Sequence, residues 1–124
     1  MITYLMLPLV WLIAAHFFFD FPGQGPFLSA AKNPHTSVEG YPWYHAMTAH
    51  VFMHAAAVAT ITHSIFLGLI EFIIHFVTDI YKCNKRISFV TDQTIHLICK
   101  VGYWIYGLSL AYPQYSLSRA FFQS

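Results

Sequence analysis

The sequence predicts an all-α fold: one domain over residues 1–124, built as an integral membrane bundle of four transmembrane helices. Three observations predict it. Hydrophobic residues make up 57% of the chain and charged residues only 9%, whereas a soluble domain averages about 25% charged. The apolar residues gather in four stretches, each near the roughly 17–25 residues that cross a bilayer. Inside those stretches, histidines and acids recur four positions apart, the spacing that places side chains on one face of a helix.

The first span covers residues 2–20 and ends at Asp20, before Phe21-Pro22-Gly23. It lacks a basic n-region and an A-x-A-like cleavage site, so it reads as a retained span rather than a signal peptide. Residues 21–42 form the longest stretch expected to be non-helical, punctuated by Pro22, Gly23, Gly25, Pro26, Pro34, Gly40 and Pro42. Its aromatic residues suit a loop lying in the membrane interface. The second span runs over about 43–61 and the third over about 64–81, joined through Thr62-His63-Ser64 as a helical hairpin. The fourth runs over about 87–112, where Pro113 stops it before a short polar tail. Four spans put the 21–42 and 82–86 loops on one side, with Lys32, Lys82, Lys85 and Arg86, and leave Arg119 on the other. The positive-inside rule makes those loops cytoplasmic and the termini external, as in a bacterial inner membrane.

Six basic residues and a net charge of +1 form no patch for nucleic acid. Cys83 and Cys99 lack CxxC spacing, so neither a disulfide framework nor a thiolate zinc site is indicated.

The polar pairs are His16 and Asp20, His50 and His54, His75 and Asp79, and Asp92 and His96. Successive spans alternate in direction, so all four pairs fall in the cytoplasmic half of the bundle. A central charge costs ~2.5–3.5 kcal/mol in a membrane span. Several unpaired ones would cost on the order of 10 kcal/mol, so they must face one another, a metal or water.

The segments HFFFDFPGQ (16–24), AHVFMHA (49–55), HFVTDIYK (75–82) and FVTDQTIH (89–96) resemble an uncharacterised family of small bacterial and phage membrane proteins, domain of unknown function 3307. That resemblance implies a shared multi-helix membrane fold. It carries over His16, Asp20, Gln24, His50, His54, His75, Asp79, Lys82, Asp92, Gln93 and His96, but no established activity. A looser likeness to membrane-bound metal-dependent hydrolases rests on intramembrane His and Asp alone.

Imidazole and carboxylate ligands suit zinc, iron, manganese or nickel. The expected metal ligands are His16, Asp20, His50, His54, His75, Asp79, Asp92 and His96, a set large enough for one or two ions, zinc preferred. Surplus carboxylates would orient the histidines. Direct His–Asp bonding between helices is the competing account, at ~0.6 kcal/mol per contact. Haem on His50 or His54 is disfavoured, because it leaves the carboxylates unexplained. Around the ligands, Gln24 and Gln93 would orient groups by their amides, and Lys100 would pair with Glu71 one turn deeper. His35, His45 and His63 are expected to stand apart from the cluster.

The function this predicts is a membrane-embedded, metal-dependent hydrolase opening to the cytoplasmic leaflet, with Asp79 or Asp92 as general base. Lys82 and Arg86 would meet an anionic lipid headgroup or phosphate. One rival is an ion, proton or metal transporter that extends through Glu71 and Lys100 and needs a homo-oligomer. Another is a noncatalytic subunit of a larger membrane complex. The topology has a direct test. Cysteine labelling from intact cells should fail in the 82–86 loop and succeed near Ser124; the reverse pattern defeats it.

Overall fold

Pro8 sits inside the first helix, α1 (Ile2–Asp20), where it cannot donate to the carbonyl of Tyr4. In the computed structural model, which describes residues 2–36 and 38–111, the neighbouring Leu5 carbonyl accepts a hydrogen bond from Trp104 Nε1 at 2.8 Å. That bond ties the start of the chain to its last helix. Five helices follow in order: α1, α2 (Gly25–Ala31), α3 (Trp43–Thr62), α4 (Ile65–Cys83) and α5 (Phe89–Ala111). The fold is all-helical, and among the described residues the only β-type pairing is the isolated bridge Val38–Tyr41.

One sequence expectation changes. Residues 21–42 are not uniformly non-helical, because Gly25 takes a positive φ of 63° and launches α2 with Pro26 in its first turn. Proline's fixed φ suits that position. Among the described residues, α1 is the one helix long and apolar enough by composition to cross a membrane. In α3, α4 and α5 the residues that build the polar interior depress the same average that would mark a span. The predicted stop at Pro113, Arg119 and the polar tail lie outside the described residues.

The α3–α4 hairpin is the tightest pairing in the bundle. His63 ends α3 in the left-handed conformation (φ 53°), and Ser64 N donates to the Ala59 carbonyl at 3.1 Å. Ser64 then caps α4, its hydroxyl accepting from Leu67 N at 3.2 Å. Two residues thus finish one helix and begin the next.

The interior is layered along the bundle axis. At one end lies a small apolar core of Leu12, Val58, Leu67 and Tyr103. About one turn further along each helix, the interior becomes ionisable: His16, His54, Glu71 and Lys100 are all fully buried. The outer faces reverse this pattern, with Phe52, Phe66, Leu69, Ile73, Val90 and Ile98 exposed.

Gly68 permits the close hairpin. A Cβ there would stand 2.8 Å from Ala59 Cβ and 2.9 Å from the Ala55 carbonyl. At Gly102 a Cβ would meet nothing within 4 Å. Gly68→Leu should therefore destabilise the protein by ~1–3 kcal/mol through overpacking. Gly102→Ala should stabilise it by ~0.5–1 kcal/mol through helix entropy. Thermal unfolding of the two variants in detergent checks both signs.

Candidate metal centre

Helical periodicity delivers the centre. His16 and Asp20 project from α1, His50 and His54 from α3, and Glu71, His75 and Asp79 from α4. Asp92, His96 and Lys100 project from α5. All ten are buried. The His75 ring lies between two others, its centroid 3.9 Å from that of His54 and 4.0 Å from that of His96.

Three of the four buried carboxylates meet an ammonium group. Lys100 Nζ donates to Glu71 Oε1 at 2.5 Å, and Lys82 Nζ to Asp92 Oδ2 at 3.0 Å. Lys32 Nζ binds Asp79 Oδ2. Burial alone would depress the Lys82 ammonium, but the facing Asp92 carboxylate outweighs it and holds the pKa above the ordinary lysine value.

Asp20 is the exception: imidazoles face it instead. Its Oδ1 stands 2.9 Å from His54 Nε2, 3.4 Å from His50 Nε2 and 3.7 Å from His75 Nε2. The His50 and His75 Nε2 atoms are 3.3 Å apart. Asp20 Oδ1 and His54 Nε2 are nevertheless misaligned, and each is buried without a hydrogen-bond partner. On the far side of His75, Nδ1 meets Glu71 Oε1 at 3.0 Å. A carboxylate there accepts the Nδ1 proton and leaves the Nε2 lone pair facing Asp20.

These four residues, Asp20, His50, His54 and His75, can bring one ligand atom each to a common point. A second, three-donor group, Asp20 with Asp92 and His96, shares Asp20. His96 Nε2 lies 3.4 Å from Asp92 Oδ1 and 3.5 Å from Asp79 Oδ1, with no hydrogen-bond partner of its own. Glu71 and His75 also group with His96, but Glu71 is already committed to Lys100 and His75 Nδ1.

Gln93 fixes the orientation of the aspartates. Its Nε2 donates to Asp20 Oδ2 at 2.8 Å and to Asp92 Oδ2 at 3.2 Å, while its Oε1 pairs with His16 Nε2 at 3.1 Å. His16 therefore shares the centre but turns its Nε2 to Gln93, outside the converging groups. Gln24 Nε2 caps the Asp20 carbonyl at 3.1 Å.

A cavity of about 210 Å³ touches the buried cluster at Asp79. Lys32, Lys82 and Lys85 line it, with the side chains of Gln24, Ser29 and Asn33 between them. Asp79 is its buried inner member. Two placements differ from the sequence reading. Arg86 is exposed and not among the residues lining the cavity. Lys32, given no role from sequence, is buried on Asp79. Its only sequence signal is a lone lysine in a loop beside buried acids. Of the other histidines, His35 pairs with Asn84 at the surface (2.6 Å) and His45 packs on Tyr44.

The sequence pattern described as "Protein of unknown function (DUF3307)" matches residues 8–121. The chain belongs to the DUF3307 family. No curated protein and no solved structure matches this DUF3307 chain.

The Glu71–Lys100 pair allows a clean test of burial energetics. Lys100→Met leaves a buried carboxylate without its ammonium and should cost ~3–5 kcal/mol. The double variant Glu71→Gln/Lys100→Met should recover most of that loss, as a double-mutant cycle of unfolding free energies in detergent would read out.

Proposed function

We propose that this chain is a membrane-embedded, metal-dependent hydrolase whose site opens at the lysine-lined end. One observation carries the metal reading: the separations among Asp20 Oδ1 and the Nε2 atoms of His50, His54 and His75. Four ligands at ~2.0–2.2 Å from a tetrahedral ion stand ~3.3–3.6 Å from one another. Four of the six separations run from 2.9 to 3.7 Å, and all six lie within 4.8 Å. Hydrogen-bonded glue would instead align its donors and acceptors, and here Asp20 Oδ1 and His54 Nε2 are buried without partners. Asp20 is also the one buried carboxylate without a lysine, so its charge is left for a cation.

Zinc suits mixed imidazole and carboxylate donors, and iron and manganese accept the same set. Asp20, His50, His54 and His75 would hold one ion. Asp92 and His96, sharing Asp20, would hold a second with a coordination position left open. A bound ion lowers the pKa of water toward about 7. Asp79 is the preferred general base, because it lines the cavity and Asp92 does not. Asp92, its Oδ2 held by Lys82 and Gln93, is better placed as a ligand.

The membrane reading draws support from the reversed surface: ionisable groups inside, large apolar side chains outside. With α3, α4 and α5 spanning alongside α1, those faces would meet lipid, and the lysines would lie at the cytoplasmic leaflet. Metal analysis of protein purified without chelator should find at least one transition-metal ion per chain, lost in His54→Ala. Asp79→Asn should keep the anchoring ion and lose hydrolysis of chromogenic ester substrates. Metal-free wild-type protein would overturn the proposal.

A further inference from the structure

The cavity wall is more cationic than access to Asp79 requires. Three lysines (Lys32, Lys82, Lys85) and one carboxylate (Asp79) line it, and Gln24, Ser29, Asn33 and Cys83 complete the wall. Lys32 and Lys82 are engaged with Asp79 and Asp92 at its inner end. Lys85 makes no ion pair among the described residues. The space is large enough for a tetrahedral oxyanion and part of the group attached to it.

Lys85 also occupies a strained position. Helix α4 closes with Arg86 N donating to the Tyr81 carbonyl and Lys85 N to the Lys82 carbonyl, both at 2.9 Å. That is the Schellman arrangement, whose left-handed residue is usually glycine. Here it is Lys85, at φ 57°. A side chain in that conformation costs ~1–2 kcal/mol that glycine avoids. Strain of this kind points toward a use for the side chain that causes it, and this one supplies the cavity's free ammonium.

We infer that this cavity binds the phosphate group of the substrate, so that the hydrolase acts on a phosphate ester; the substrate class rests on the hydrolase reading, the anion site does not. With Lys32 held by Asp79 and Lys82 by Asp92, Lys85 leaves one excess positive charge for a phosphate oxyanion. Gln24 Nε2 is already given to the Asp20 carbonyl, and the three lysines with Ser29 and Asn33 still offer more donors than the two oxygens of a carboxylate could use. Lysine meets phosphate as a point charge and needs no fixed planar geometry, so Lys32 and Lys82 can share their ammonium protons between carboxylate and phosphate without leaving the site.

The test is equilibrium dialysis of the full chain in neutral detergent with radiolabelled orthophosphate, after chelator treatment so that no ion contributes. Wild type should bind saturably. Lys85→Gly should weaken binding about tenfold, the loss of one charge-assisted contact, while leaving the melting temperature equal or higher. Lys85→Glu, which keeps the strain and reverses the charge, should weaken it further. Dioctanoyl phosphatidic acid displacing phosphate at far lower concentration than glycerol phosphate would assign a lipid headgroup; equal displacement would assign a water-soluble ester. No saturable binding by wild type, or unchanged affinity in both Lys85 variants, would overturn the inference. Metal content measured on a portion of the same purification set aside before chelator treatment separates the two failures. A metal-containing chain without phosphate affinity removes only the phosphate site, and phosphate affinity in a chain purified metal-free removes only the hydrolase.

Discussion

Four carboxylates are buried inside a bundle whose outer surface is largely apolar, and their need for counter-charge organises the rest of the structure. Taking a carboxylate out of water costs several kcal/mol even after relaxation, and the cost is recovered only with good partners. The partners come from different parts of the chain: Lys100 from α5 for Glu71, Lys82 from α4 for Asp92, and Lys32 from the end of α2 for Asp79. Each ion pair therefore also fixes where one element sits against another. Asp20 breaks the pattern, and the imidazoles around it are the softer, metal-compatible alternative to an ammonium group.

Chemistry and architecture share one set of residues here. Glu71 holds Lys100 and orients His75 through Nδ1; Gln93 holds Asp20 and Asp92 and engages His16. A change at any of these positions disturbs both packing and the geometry of the donors. Under the proposed metal reading, unfolding free energy and metal content should accordingly move together at the centre and separately at the rim, where Lys85 is exposed.

Much of this centre was legible in the sequence, because helical geometry is local. Spacing of four residues put His50 with His54 and His75 with Asp79 on single faces, and alternating helix directions put the faces at one end of the bundle. The deeper Glu71–Lys100 contact follows from the same reasoning. What was not legible depends on tertiary placement. Lys32 lies in a connection whose path no periodicity describes, and α2 is a single short helix among proline and glycine residues. His16 carries the right spacing, but its Nε2 direction is set by Gln93, 77 residues away. Hydropathy averages likewise see the buried histidines of α3 as polar and cannot see that they face inward.

The apolar layer beyond the ionisable one sets a boundary on traffic. The lysine-lined cavity ends at Asp79, and beyond it lie the buried histidines and then the Glu71–Lys100 pair. Behind that pair stand Leu12, Val58, Leu67 and Tyr103, packed together with Ile61, Ile70, Cys99 and Trp104. Among the described residues the bundle is thus apolar and packed at one end and lysine-lined at the other, with the ionisable layer held between them.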